Sequence, residues 1–329
     1  MRLLAPLLAL LPAVIAQGLS AAPTGALTVG GPSGKYKTIA SAIKALSKTS
    51  TAAQTIFINP GTYNEQLNIP KLASPLKIYG SSTAPTDFSK NTVTIRAGHS
   101  QEEDISNDET ATLGVHTNDF ALYNVNLVNT FGKGSQALAL SAMGERQGYY
   151  QCSFKGYQDT VMPQTGSQVF VGGYIEGATD FIFGQQARSW FEGVKIGVLE
   201  GKGWVTAAGR PTRSSPQNYV FNNSSIAAAP GQSVAAGSYY LGRPWRNYAR
   251  VTFQYCQMSA VVNKAGWSKW NNDEPRTDGV EFREFMNTGE GAAREGRVGF
   301  SKQAEGKVEV ETVLGAGWEE WIDGTFMGA

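Results

Sequence analysis

Two carboxylates carry the chemistry this sequence points to. Asp159 follows the apolar run QCSFKGYQD and Asp180 follows VGGYIEGATD. Counted from Phe154 in the first run, Asp159 lies 5 residues on; counted from Ile175 in the second, Asp180 also lies 5 residues on. The two anchors are 21 residues apart, as are the two Asp residues. If both runs are successive rungs of a stacked parallel sheet, the carboxylates sit side by side, about 4.8 Å apart in the stacking direction. At that spacing each charge raises the other's pKa, which is how two ordinary acids divide into an acid and a nucleophile.

Such a pair needs a scaffold that repeats. Leu127, Phe154, Ile175, Ile196, Ile226 and Met258 occupy similar apolar settings, separated by 27, 21, 21, 30 and 32 residues. A unit of twenty-odd residues with insertions at some corners fits stacked coils, each burying its inward face on the next. A sandwich would need tight hairpins, and no regular Asn-Gly or Asp-Gly turns separate these strands. Upstream, Gln54–Asn59, Pro75–Tyr79 and Asn91–Arg96 read as further strands. Tyr36–Lys48 reads as a helix, with Ile39, Ile43 and Leu46 on one stripe capping the open end of the core. The acidic stretch Gln101–Glu109 reads as a solvated loop. Trp318, Trp321 and Ile322 lie at helical spacing, which predicts a terminal helix across the stack.

Cys152 and Cys256 each stand 2 residues before an anchor, so both point inward, but the anchors are four coils apart. Four strand spacings are about 19 Å, beyond disulfide reach. Two free, buried packing thiols are expected.

The chain has 329 residues, 38 of them Gly, with 41% hydrophobic and 17% charged residues. That composition favours many turns and short strands around a large core. Residues 1–16, MRLLAPLLALLPAVIA, read as a secretory signal with a Val14-x-Ala16 cleavage pattern, leaving residues 17–329 as one β-helix domain. Later residues hold no membrane-length apolar stretch. Apart from Arg2, basic and acidic side chains balance at 27 each, a poor basis for nucleic-acid binding. Asn222 and Asn223 head two overlapping glycosylation sequons.

Five motifs, in order, make the chain resemble the pectin methylesterases from about residue 28 onward: Gly61–Glu65, Gln136–Leu140, Tyr157–Thr160, Asp180–Gly184 and Leu241–Trp245. It departs from the usual pattern at Val161, where Leu is common, and at Ala178-Thr179, where Thr-Val is common; neither removes a reacting group. The resemblance implies an all-β, single-stranded right-handed parallel β-helix with short capping helices at the ends. It implies a groove for pectin, that is, methylated homogalacturonan, whose galacturonate C6 methyl esters are hydrolysed to methanol and free acid. In that scheme Asp180 is the nucleophile and Asp159 the general acid/base. Gln136 and Gln158 donate to the oxyanion, and Arg243, if it reaches Asp180, keeps it ionised by charge-assisted hydrogen bonding. Trp245 and Phe183, with Tyr157, Phe181 and Trp267 as further candidates, would face the sugar rings. No cofactor, no metal and a secreted monomer are expected.

The rival chemistries lack their residues. Only His99 and His116 exist, no Gly-x-Ser-x-Gly elbow occurs, and two His with two inward, distant Cys make no zinc tetrahedron. Paired carboxylates also suit glycoside hydrolysis, but the Gly-His-Gly and Arg-Ile-Lys motifs of pectin-cleaving glycosidases are absent. A silent pectin-binding β-helix would have lost Asp159, Asp180 or Arg243; all three are retained.

Overall fold

A computed structural model describes residues 19–327. Three parallel sheets run the length of the molecule: sheet I with eleven strands, sheet II with eight and sheet III with seven. The chain visits them in turn, so strands adjacent within a sheet are about one coil apart in sequence. This is a parallel β-helix.

The register follows the six anchors. Leu127 pairs with Phe154, Phe154 with Ile175, Ile175 with Ile196, Ile196 with Ile226, and Ile226 with Met258, all in sheet II. Every anchor is buried and belongs to the same apolar core. Inside sheet I, Tyr149, Phe170, Phe191, Phe221 and Phe253 stack rung on rung, with centroids 4.3–4.8 Å apart. Stacked apolar rings fill the interior without leaving polar groups unpaired, so the coils are held by side-chain ladders as well as by backbone hydrogen bonds.

Cys152 and Cys256 are free and buried, as their register requires. Burial pushes both thiols up to about 12, so they carry no thiolate character.

The N-terminal helix is shorter than its apolar stripe suggests. It spans Ile39–Lys44, with Thr38 as N-cap accepting from the Ser41 amide. Ile39, Ile43 and Leu46 are buried as expected, but the last of them lies beyond the helix. The acidic stretch is also more ordered than a solvated loop. Gln101–Glu103 and Asn107–Thr110 are helical turns, each closed by a capping box, Ser100 with Glu103 and Ser106 with Glu109. The S-x-x-E spacing was the missed signal: these carboxylates satisfy backbone amides. At the C-terminus a single helix is replaced by two short pieces, Val310–Leu314 and a 3-10 turn at Trp318–Glu320. They pack on an outer cluster that includes Tyr123, Tyr150 and Trp190 on sheet I. Gly315 and Gly317, both at positive φ, separate the two pieces.

Candidate active site

The turn from sheet II to sheet III places the carboxylates. Gln158 bridges Thr179, and Val161 pairs with Ile182, so Asp159 and Asp180 occupy the same corner position on neighbouring rungs. Both adopt left-handed backbone conformations, φ 63° and 51°, which short Asp side chains tolerate better than most. Phe181 is the inward plug beneath this corner. It is fully buried in the core and therefore cannot face a sugar.

The groove floor is the outward row of sheet III. In successive rungs it presents Asn68, Gly114, Ser141 and Met162, then Phe183, Ala207 and Arg243. Phe183 packs with Met162 and Ala207 under the half-buried Trp245, ring centroids 6.1 Å apart. Trp245 fits there because residue 209 is Gly: a Cβ would lie 2.7 Å from the indole. Tyr157 is partly exposed at the start of this corner, before Asp159.

Arg243 reaches back across the rungs to Asp180. Its Nε donates to Oδ1 at 2.9 Å and its Nη2 to Oδ2 at 2.6 Å. The guanidinium is sandwiched between Trp204 and Trp270, 3.8 and 4.1 Å from the ring centroids. Neither tryptophan follows from sequence reasoning, since Trp204 lies 39 residues before Arg243 and Trp270 lies 27 after it. The available signal was register: Trp204 pairs with Tyr240, three residues before Arg243. Trp267 is corrected by the same geometry. It is fully buried, stacked on Phe282 at 4.2 Å, and its indole donates to Glu284. Its backbone bridges Gly242, and Ser268 then donates to the Gly242 carbonyl, so this residue anchors the segment that presents Trp270.

Gln136 and Gln158 flank the corner, both partly exposed. The Gln136 Oε1 accepts from Ser135, leaving the amide NH2 free to point at a ligand. A third missed residue, the buried Asn129, holds this loop. Its amide contacts the carbonyls of His99, Thr110 and Leu138, while its Oδ1 accepts from the Phe131 amide. Ala137 N–H donates to the Gln158 carbonyl, which ties the two Gln residues to adjacent rungs. The sequon residues lie away from the groove, at the corner between sheets I and II. Asn222 is locked by Glu192 and Gln254, whereas Asn223 is exposed at positive φ.

Electrostatics separates the two acids. Burial pushes Asp159 well above the usual carboxylate range, the Asp180 charge pushes it further, and Arg243 offsets only part of this. Asp180 is raised by burial too, but the Arg243 hydrogen bonds and charge oppose that directly. A proton shared by this pair therefore resides on Asp159 and the charge on Asp180. The arrangement sets an ionised carboxylate, held on both oxygens, beside a protonated one, with two partly exposed glutamines on the adjoining rungs.

The same electrostatics has a stability consequence. Asp159 binds its proton more tightly folded than unfolded, so its favourable contribution is complete below the unfolded carboxylate pKa of about 3.9 and is lost as pH rises through the folded value. Asp159→Asn is expected to raise Tm at pH 7 by about 2 °C, corresponding to ~1 kcal/mol. The gain should vanish near pH 3. Calorimetry at both pH values checks this, and a lower Tm at pH 7 refutes it.

Residues 27–325 match the family described as Pectinesterase. A pectinesterase of Aspergillus niger is 46% identical over 310 residues, covering 93% of each chain. One of Aspergillus aculeatus is 44% identical over 317 residues, covering 95% of each. Among solved structures, the pectin methylesterase of Aspergillus niger superposes with a TM-score of 0.88 at 38% identity, covering 94% of this chain and all of that one. The carrot pectin methylesterase gives 0.82 at 27% identity, covering 93% and 97%. With the paired carboxylates, the guanidinium clamp and the coil register already in place, these likenesses make the chain a member of the pectinesterase family.

Proposed function

We propose that this protein hydrolyses the C6 methyl esters of galacturonate units in pectin, with Asp180 as nucleophile and Asp159 as general acid, then base. The observation that carries the assignment is the unequal pair: Asp180 clamped on both oxygens by Arg243, beside a buried Asp159 that keeps its proton. The ionised Asp180 oxygen attacks the ester carbonyl carbon, and the carbonyl oxygen becomes an oxyanion facing the Gln136 and Gln158 amides. The C–O bond to the methoxy group breaks as Asp159 gives that oxygen its proton, and methanol leaves. The acyl group is then held on Asp180 as an anhydride. Asp159, now a carboxylate, takes a proton from water, whose oxygen attacks the acyl carbon. Free galacturonate departs, Asp180 regains its charge and Asp159 its proton.

The groove supports a polymeric substrate. Its floor is apolar at Met162 and Phe183, walled by Trp245, and edged by the partly exposed Tyr157. Aromatic faces of this kind suit sugar rings, and the apolar floor suits a methyl ester. In this reading residues 1–16, which lie outside the described residues, export the chain, and the mature protein acts outside the cell as a monomer. No helix among the described residues is long and apolar enough to cross a membrane. Of the two sequons, Asn223 is the one whose exposure supports a glycan: it makes a single bond to Glu192, whereas the half-buried Asn222 is held by Glu192 and Gln254 together.

The test is methanol release from highly methylated pectin alongside the polymer's length distribution. Methanol without chain shortening is expected. Shortening without methanol would move the assignment to a chain-cleaving enzyme.

A further inference from the structure

Sheet II, the sheet that leads into the catalytic corner, carries a second cleft on its outward face. It encloses about 630 Å³. Its floor is a register row running from Asn126 through Ser153, Tyr174 and Lys195 to Ser225. Tyr174 lies flat across the sheet because residue 197 is Gly; a Cβ there would come within 2.0 Å of the tyrosine oxygen. Phe88, from an inserted 3-10 turn at Phe88–Lys90, stacks on Tyr174 with centroids 5.7 Å apart and planes 4° from parallel.

Two ammonium groups frame this aromatic pair. Lys155 Nζ is 5.4 Å from the Tyr174 centroid and Lys195 Nζ is 5.5 Å from that of Phe88. Neither lysine takes part in a salt bridge among the described residues. The nearby carboxylates make their hydrogen bonds to other groups, Glu176 accepting from the Tyr174 hydroxyl and Asp87 from the Ser89 amide and hydroxyl, although Glu176 is the register neighbour of Lys155 and Asp87 feels the charge of Lys195. Ser153, 2% exposed on the cleft floor, has a hydroxyl with no hydrogen-bond partner. A buried hydroxyl left unpaired inside a cleft marks a place where a ligand oxygen gains more than it would at the open surface.

We propose that this cleft is a non-catalytic binding site for a de-esterified stretch of galacturonan. The two lysines stand on strands two steps apart, about 9.6 Å along the stack. A single small acid is a poor match for both, whereas a uronate chain repeats its carboxylate at every ring. The aromatic pair and the flanking Val128 and Ala227 give the sugar faces an apolar bed, and the Ser153 hydroxyl takes a ring oxygen or hydroxyl. The proposal rests on pectin being the substrate. Its consequence is that the enzyme's own product holds it on the polymer while the catalytic groove samples neighbouring esters, a gain in effective concentration without a new contact at the reacting centre.

The test titrates wild type and the double variant Lys155→Ser/Lys195→Ser calorimetrically with fully de-esterified hexagalacturonate, and measures methanol release from a short, fully methylated oligomer. The proposal expects two binding events in wild type, the second weakened about tenfold in the variant. Methanol release from the short oligomer should be equal in both. One binding event in each protein, with methanol release intact, overturns the site while leaving the esterase reading untouched. Equal affinity for the methylated hexamer, or for a glutamate peptide of the same charge, overturns the ligand class. Concentration-dependent dimerisation that blocks the cleft overturns it in favour of a second copy of the chain. No methanol from either protein removes the esterase reading and the ligand assignment together.

Discussion

Asp180→Asn lowers kcat for methanol release from methylated pectin by about four orders of magnitude or more, with KM little changed. The magnitude follows from removing the attacking atom: in an unrelated hydrolase, loss of the nucleophile costs on the order of 10⁶ in kcat, with a residue of catalysis left by the oxyanion donors and binding groups. Asn has the size of Asp, so the corner keeps its packing over Phe181, and the φ of 51° remains accessible to it. Substrate binding survives because the groove floor, with Met162 and Phe183 under Trp245, is untouched. Single-turnover kinetics and KM measured together check this. If Asp180→Asn retains more than a tenth of wild-type kcat, Asp180 is not the nucleophile. A selective rise in KM would make it a binding residue.

The 21-residue offset that identifies this pair also explains how much of the fold was legible. Inward apolar residues must repeat with the coil, so Leu127 to Met258 could be aligned from spacing alone, and every one of those pairings is formed. The same logic separated Cys152 from Cys256. What spacing did not reveal were side-chain contacts made across rungs and from loops. Trp204 and Trp270 meet on Arg243 from two different coils, and Asn129 gathers carbonyls from loops 9 to 30 residues away. Loop geometry of that kind is fixed by packing in three dimensions rather than by local period.

The two aromatic corrections have one cause. Phe181 and Trp267 sit next to functional segments in sequence, but each stands where the chain joins a sheet, at the turn before the strand Ile182–Gly184 and at the bridge to Gly242, and is turned into the core there. Phe181 follows Asp180 and fills the core beneath it. Trp267 fills the core beneath the segment that carries Trp270. Both serve the site through the backbone they anchor. Phe183, next to the inward Ile182, lies outside on the groove floor as alternation along its own strand requires.

Arg243→Ala is expected to lower kcat/KM at mildly acidic pH by about 10²–10³-fold, because truncating one partner of a hydrogen-bonded, desolvated charge pair costs ~2–5 kcal/mol. The sign of the pH effect separates catalysis from scaffolding. Arg243 lowers the Asp180 pKa against the upward push of burial. Without it, Asp180 keeps its proton to higher pH, and a protonated carboxyl does not attack. The acid limb of the kcat/KM profile must therefore move toward alkaline pH, and part of the lost activity returns as pH rises. Arg243→Lys should fall between the two. It restores the positive charge but neither the bidentate fork on both Asp180 oxygens nor the flat cation between Trp204 and Trp270. Were Arg243 merely a structural tie, all three proteins would share one pH profile, and the variants would lose activity only in step with folded protein. An alkaline shift that is larger in Ala than in Lys, at temperatures well below either Tm, assigns the guanidinium to holding the nucleophile ionised.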